Sequence, residues 1–249
     1  MADELDAGVW FPYYLPHWSS RASSAATYEV RDGSLQLSIP PSQGLWCPDV
    51  HEEPLRVSCI QSGSFAGPLG STTGQQPFQD GLEVREEQPT MWGYTPQYGS
   101  VEVRMRGVVP ARSMVAFWMS GIEDEPTRSG EICVAEIFGD AVRDGSADVS
   151  VDVGMGVHRF RDPALTEDFS ADPLPIDVAE DHTYAVDWRP GSLEFSVDGS
   201  VVRRSDQSPD YPMQLMLGVF DFPAKAPADD PGVPVPSLVV SHVLGHPLP

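Results

Sequence analysis

The stretch "GEICVAEIFGD", residues 130–140, places two glutamates, Glu131 and Glu136, in an otherwise apolar run. Side chains on a regular strand alternate between its faces, so glutamates five positions apart would point to opposite faces and one carboxylate would enter the core unpaired. A single β-bulge near residues 134–135 removes this conflict, because the extra residue reverses the alternation. The sequence therefore predicts a bulged strand with Glu131, Cys133 and Glu136 on one face and the two isoleucines on the core face.

The spacing of the two glutamates suggests a chemical role. With the bulge they lie about four strand steps apart, roughly 13 Å between Cα atoms at ~3.4 Å per residue. If each side chain leans toward the other by roughly 4 Å, the carboxyl groups come to about 5 to 6 Å apart, which is typical of a retaining glycosidase pair. Two glutamates five apart also fit a strand whose two ends are simply exposed to solvent. The neighbouring sequence is therefore needed to distinguish a catalytic pair from such a strand.

The rest of the chain predicts an all-β fold. Helical periodicity is scarce, and Gly and Pro punctuate alternating segments at intervals of roughly 8 to 15 residues. Residues 28–39, "YEVRDGSLQLSI", predict a hairpin around an Asp-Gly turn, and residues 182–204 predict a three-stranded meander. Residues 61–80 and 161–181 have the composition of long loops, and such loops often border a binding site. The pattern is that of a β-sandwich or barrel.

The charge of the chain limits its partners. The net charge is -22, and Lys225 is the only lysine. Phosphate binding needs clustered Lys and Arg, so nucleic acid is excluded as a partner. The negative electrostatic field of the chain also disfavours sulfated or uronic polymers. No run of 18 or more apolar residues exists, so no membrane partner is expected. A neutral or cationic ligand fits this charge, and we expect a monomer.

The cysteines and the first residues bear on the compartment. Three cysteines, Cys47, Cys59 and Cys133, without zinc-like spacing leave at least one thiol free, which favours a reducing compartment. The first residues lack the basic and apolar regions of a signal peptide. We therefore expect a cytoplasmic protein, or a secreted one if a leader has been removed.

Several motifs resemble glycoside hydrolase family 16, the laminarinase and lichenase relatives. Residues 131–136, "EICVAE", resemble the family's E-x-D-x-x-E signature, usually GEIDIxE. Further matches occur in family order between residues 94 and 220, about half the chain: "YGSVEVRMRGVVP", "MVAFWM", "HTYAVDWRPGSLEFSVDG" and "PMQLMLGVF". The resemblance implies a jelly-roll β-sandwich of two antiparallel sheets with a substrate cleft, and we expect one such domain over residues 1–249.

The resemblance also implies a retaining mechanism on a neutral β-linked polysaccharide or oligosaccharide, by hydrolysis or transglycosylation. Glu131 would be the nucleophile, and Glu136 the general acid and then the base. Cys133 stands where the family has Asp. A thiol is mostly neutral at pH 7, so the substitution removes a negative charge, and Glu136 should hold its proton less firmly.

Five other residues are candidate cleft residues. Trp118 lies opposite Val115 and Phe117 in the strand pattern and resembles the tryptophan of the family's "AFW" segment. His158 follows two glycines, as a family histidine often does after the catalytic strand. Arg104 belongs to a Glu-x-Arg pair like the family's, for which a structural ion pair is an equal alternative. The remaining two candidates are aromatic platforms whose orientation the sequence does not define: Trp92 and Tyr98.

Other interpretations remain open at this point. A non-catalytic, lectin-like carbohydrate-binding protein, or an interaction protein with a relic cleft, would share the fold. Cys133 could be a nucleophile with His158 or His182, although no oxyanion-hole motif accompanies it. We expect no cofactor and no metal in the catalytic site, while the acidic segment 161–181 could hold a structural calcium ion without matching an EF-hand.

Overall fold

The computed structural model describes residues 4–144, 149–225 and 232–248. Its sixteen strands are β1 (Thr27–Arg31), β2 (Ser34–Ser38), β3 (Arg56–Gln61), β4 (Gly63–Ser64), β5 (Met91–Trp92), β6 (Gly99–Val108), β7 (Ser113–Gly121), β8 (Glu131–Phe138), β9 (Val142–Asp144), β10 (Val149–His158), β11 (Asp168–Leu174), β12 (His182–Arg189), β13 (Ser192–Val197), β14 (Ser200–Ser205), β15 (Met213–Asp221) and β16 (Ser237–His246). Within these described ranges, helical structure is limited to α1 (Arg21–Ser24) and three 3-10 turns, Pro16–Trp18, Gly139–Ala141 and Pro223–Lys225.

The strands form two packed antiparallel sheets and one small ribbon. The outer sheet has the order β1-β2-β16-β6-β12-β13-β14. The site sheet has the order β11-β10-β8-β7-β15-β3, and β9 pairs with β10 at its edge. Strands β4 and β5 form the ribbon. The predicted all-β sandwich is thereby confirmed.

The core lies between the two sheets and follows the alternation in the sequence. Val101, Val103 and Met105 of β6 meet Phe117 and Met119 of β7 there, all of them buried. Burying each such side chain contributes about 1.5–3 kcal/mol to folding. Strand β8 contributes its own apolar residues to the same core, so the position of the glutamate strand is fixed by packing.

A second apolar cluster covers much of the opposite face of the site sheet. Trp18 and Trp46, from the region before β3, pack there with Trp118, Cys133 and Phe220 from the sheet. Residues 1–93 matched the family motifs less clearly than the rest, and this packing role was not predicted. It leaves only part of that face open to a ligand.

The structure confirms the predicted hairpin and meander and corrects one predicted loop. Asp32 and Gly33 both have positive φ, 52° and 77°, in the tight turn between β1 and β2, and glycine adopts this conformation without steric cost. Residues 161–181 are not one long loop, because β11 lies within them as the edge strand beside β10. Among the residues that the structure describes, no helix has the length and apolar character needed to cross a membrane.

Candidate active site

The predicted bulge is present in β8. Opposite β7, Ala135 pairs with Phe117 and Cys133 pairs with Trp118, so Val134 is the extra residue. The pairing with β10 shifts at the same place. The core cluster takes up the isoleucines of β8 together with Val134 and Ala135, whereas Cys133 belongs to the cluster on the opposite face. The bulge therefore allows β8 to bury its apolar side while both glutamates face the same way.

Two glycines of β10 let neighbouring groups approach Glu136. A Cβ on Gly154 would lie 2.5 Å from the ring of Phe169 and 3.2 Å from Cβ of Glu136. Gly156 has φ +138°, and a Cβ there would lie 2.1 Å from the carbonyl oxygen of Asp168. Side chains at these positions would push β11 away, so the glycines set the width of the site on this side.

The thiol of Cys133 lies between the two carboxyl groups. Its Sγ is 3.4 Å from Oε1 of Glu136 and 4.0 Å from Oε2 of Glu131. The two carboxylate oxygens are therefore separated by no more than the sum of these distances, about 7 Å. Retaining glycosidases have carboxyl groups ~5–5.5 Å apart, which is within this limit. Inverting glycosidases have carboxyl groups ~6.5–9.5 Å apart, and the limit reaches only the lower end of that range.

Glu131 is held in a buried position by a side-chain amide. The residue is 8% exposed, and Nε2 of Gln76 donates a hydrogen bond to its Oε1. Burial raises the pKa of Glu131 well above its usual value, and the nearby Glu136 and Glu123 raise it further. The Gln76 hydrogen bond acts in the opposite direction, because it stabilises the ionised carboxylate.

Glu136, the second glutamate of the pair, is in contact with Cys133. Burial raises the pKa of Glu136, while the hydrogen bond from Cys133 and the charge of His158 lower it. Burial and both carboxylates raise the pKa of Cys133 well above its usual value, so the thiol is a donor at neutral pH. Burial outweighs the effect of the thiol on Glu136, and the expectation that Glu136 holds its proton less firmly than it would beside an aspartate stays a prediction. A thiol held protonated is also a poor nucleophile, which argues against the Cys133 alternative.

His158 lies beside the pair. Its strand position is directly opposite Glu131, and a ring nitrogen, the Cys133 sulfur and a Glu136 oxygen all lie within 4.8 Å of one another. Nδ1 of His158 is paired with Glu167, and its ring stacks on Phe169 at 4.4 Å between centroids. The structure thus brings His158 to the glutamates, as the sequence analysis expected.

Three residues that the sequence analysis missed support Glu131 from one side. The backbone N–H of Gln76 donates to Oε1 of Glu123 at 2.7 Å, and Arg161 pairs with the other oxygen of Glu123. Gln76 and Glu123 both have positive φ, 45° and 59°, a strained conformation that is concentrated at functional sites. Burial raises the pKa of Glu123 to about 7. The prediction that segments 61–80 and 161–181 border a site pointed to the regions of Gln76 and Arg161, whereas nothing in the sequence analysis pointed to Glu123.

The two tryptophans differ in accessibility. Trp118 faces the predicted side of β7, but it is 5% exposed and packs beside Phe220. It therefore forms part of the floor next to Cys133 and presents little of its ring to a ligand. Trp92 is 46% exposed and pairs with Gly63 in the β4–β5 ribbon, so its ring is available to a ligand.

Three other candidates lie away from the glutamates. Arg104 belongs to β6 of the outer sheet and faces Asp181 at 4.0 Å, so the structural alternative holds. Tyr98 packs edge-on against Trp188 of the same sheet, at 5.2 Å between centroids. His182 is likewise in the outer sheet and pairs with Asp198. Alternating patterns place a side chain on one face of a strand but do not say which sheet the strand joins.

A cavity of about 310 Å³ adjoins Glu136. It is lined mainly by aromatic and ionised side chains, among them Phe138, Asp140, Asp152, Phe169 and Lys225. The Lys225 ammonium pairs with Asp140 at 3.4 Å and lies over the Phe138 ring at 4.8 Å from its centroid. In the acidic segment, Asp168 and Asp172 both pair with Arg203, so these two carboxylates already have a cationic partner.

Comparison with known proteins agrees with this fold. The family model for "Glycosyl hydrolases family 16" matches residues 93–234. A GlcNAcα1-4Gal releasing endo-β-galactosidase from Clostridium perfringens superposes with a TM-score of 0.77 at 25% identity, covering 98% of this chain. This chain spans only 60% of that protein. No curated protein matches the chain.

Two further structures share the fold at lower identity. A laminarinase from Flavobacterium sp. UMI-01 has a TM-score of 0.63 at 17% identity, with 98% of this chain and 96% of that chain covered. A β-1,3-1,4-glucanase (lichenase) from a mouse hindgut metagenome has a TM-score of 0.59 at 18% identity, with 99% and 96% covered.

The fold and the paired glutamates thus define a β-sandwich protein of the glycoside hydrolase class. More narrowly, the chain belongs to glycosyl hydrolases family 16.

Proposed function

We propose that this protein is a retaining glycoside hydrolase that cleaves a neutral β-linked glycan by double displacement at Glu131 and Glu136. The observation that carries the proposal is the bulge in β8, which puts both carboxyl groups on one face with only the Cys133 thiol between them. Burying two carboxylates side by side costs free energy, because each makes the other harder to ionise, and this cost favours a chemical role for the two glutamates.

In the proposed mechanism Glu131 attacks the anomeric carbon while Glu136 protonates the leaving oxygen. The covalent glycosyl-enzyme is then hydrolysed by water that Glu136 deprotonates. Burial raises the pKa of both glutamates, so the pair keeps a proton toward neutral pH, as the first step requires. An amide N–H is a stronger donor than a thiol, and Gln76 therefore helps Glu131 to carry the negative charge. The order of the two roles follows the family motif.

The charge of the protein and its relatives bear on the substrate. A net charge of -22 disfavours anionic glycans. The similar structures include an endo-β-galactosidase and β-glucanases, so β-linked galactans and glucans are the substrates to test first. The cavity beside Glu136, with two phenylalanine rings in its lining, would accept a sugar ring on one side of the cleaved bond. Trp92 is the exposed aromatic candidate for a more distant sugar.

The second candidate function is non-catalytic glycan binding. It is favoured by Cys133, which replaces a residue of the family motif, and by the covered face around Trp118. Such a protein would bind the same glycans with either glutamate replaced by glutamine.

The test is reducing-end release from β-galactans and β-1,3-, β-1,3-1,4- and β-1,4-glucans between pH 4 and 8. Glu131→Gln should abolish turnover of every substrate. Glu136→Gln should abolish turnover of glycans but retain part of it on aryl glycosides, whose good leaving groups need no general acid. Turnover that survives in Glu131→Gln would refute the mechanism. Equal glycan binding by wild type and both variants without any turnover would establish the lectin-like function instead.

A further inference from the structure

The replacement of the motif aspartate by a cysteine creates a set of potential metal ligands. Cys133 and Glu136 of β8 and His158 of β10 each offer one ligand atom, and these three atoms lie within 4.8 Å of one another. The three side chains come from neighbouring strands whose register is fixed by backbone pairing, so the cluster does not depend on a loop. The sequence alone predicted no metal in the catalytic site.

We propose that Cys133, Glu136 and His158 bind a thiophilic divalent cation, Zn²⁺ in particular, and that its binding switches off the glutamate pair. The second half of this proposal rests on the proposed function, whereas the first half does not. In this account the protein is active without the ion and is reversibly inhibited by it.

The donor chemistry and spacing fit zinc. Thiolate, imidazole and carboxylate are its usual protein ligands, at ~2.3, ~2.0–2.1 and ~2.0–2.2 Å respectively. A tetrahedral ion with these bond lengths separates its sulfur and oxygen ligands by about 3.6 Å. Sγ of Cys133 and Oε1 of Glu136 are 3.4 Å apart, so these two ligands need almost no movement. Glu131, with Oε2 at 4.0 Å from the sulfur, is the nearest fourth ligand.

His158 is already oriented as metal-bound histidines are. Its Nδ1 is paired with the Glu167 carboxylate, which leaves Nε2 as the ligand nitrogen, and the stacking on Phe169 fixes the ring plane. A carboxylate on the second nitrogen is the usual outer partner of a zinc-bound histidine, because it sets the tautomer and makes the ligand more basic.

Binding exchanges protons for the ion. Zn²⁺ replaces the hydrogen on the Cys133 sulfur and the proton that Glu136 holds as general acid, so two protons are released to solvent and no electron is transferred. The bound ion then holds the oxygens of Glu136 that would donate the proton in glycoside cleavage. Aspartate at position 133 would remove the soft ligand, so selectivity for thiophilic metals depends on the cysteine.

The experiment uses Co²⁺ as a spectroscopic probe on the purified, metal-stripped full chain. We expect a near-ultraviolet sulfur-to-cobalt charge-transfer band with one Co²⁺ per chain, and its loss on adding one equivalent of Zn²⁺. Cys133→Ser should abolish the band, and Cys47→Ser should leave it unchanged. Glu167→Gln should weaken binding about 10- to 100-fold through His158. Thermal unfolding would verify that each variant is folded.

No band in the wild type, or a band that persists in folded Cys133→Ser, would overturn the metal site. Turnover provides the separate test of inhibition: Zn²⁺ should inhibit the wild type but not Cys133→Ser at the same concentration. If Zn²⁺ binds and wild-type turnover is unchanged, the inhibitory role is wrong. If the protein cleaves no glycan at all, the proposed function fails while the cobalt spectrum still decides whether the site exists.

Discussion

Replacing Cys133 by aspartate, the residue that the family has at this position, should move the pH dependence of catalysis. The new carboxylate would lie close to the present sulfur, which is 3.4 Å from Glu136 and 4.0 Å from Glu131. Two unit charges about 4 Å apart interact by ~4 kcal/mol at an effective dielectric constant of ~20, equivalent to ~3 pKa units. The three carboxyl groups would share protons, so this is an upper limit, and we expect the pKa of Glu136 to rise by about 1 to 2 units.

The assay is kcat/KM against pH for the wild type, Cys133→Asp and Cys133→Asn. The alkaline limb reports loss of the proton from the general acid, Glu136. It should move about 1 to 2 pH units to the alkaline side in Cys133→Asp. The side chain of Cys133→Asn has the shape of the aspartate without its charge. The alkaline limb of this variant should therefore stay within a few tenths of a pH unit of the wild type.

Two outcomes would refute this reasoning. An alkaline limb that does not move in Cys133→Asp would mean that position 133 does not act on Glu136 through its charge. An equal shift in the Asn variant would show that the size or hydrogen bonding of the side chain, and not its charge, sets the pKa.

Three further predictions concern Gln76, Glu131 and the distant residue Arg104. Gln76→Leu removes the N–H that donates to Glu131 and should lower kcat about 10- to 100-fold, the effect of losing a hydrogen bond to a charged group, while Gln76→Glu tests whether a donor is needed. Glu131→Gln should raise the free energy of unfolding at pH 8, because folding raises the pKa of Glu131 and its ionised form therefore destabilises the folded state. Urea titrations would measure this difference, which should disappear near pH 4, where the carboxyl is protonated in both states. Arg104→Ala should leave kcat/KM within about twofold of the wild type, because Arg104 pairs with Asp181 on the outer sheet, and a larger loss would contradict that placement.

The bulge is the feature that the sequence predicted best. An odd spacing between two carboxylates in an apolar run can be reconciled with a buried strand only by an extra residue, and the structure has that residue at Val134. The hairpin at Asp32-Gly33 was predictable for a similar reason, since its turn residues are local in the chain. Physical constraints of this kind act between close neighbours in sequence, and so the sequence alone reveals them.

Other parts of the site depend on distant contacts. Gln76 and Glu123 meet because a loop before β5 reaches the end of β7, and no spacing in the chain encodes that meeting. Trp118 was placed on the correct face, but the sequence did not show that Trp18 and Trp46 belong to the cluster that covers it. For Arg104 the sequence left a cleft contact and a structural ion pair equally open, because alternation does not tell which of two sheets a strand joins.

The stereochemistry of the first product tests the central claim most directly. Proton NMR during cleavage of a β-linked oligosaccharide would record which anomer of the new reducing end forms before mutarotation. Double displacement at Glu131 and Glu136 predicts that the β-anomer appears first and the α-anomer follows slowly. If the α-anomer appears first, a single displacement by water has occurred, and Glu131 cannot be the nucleophile.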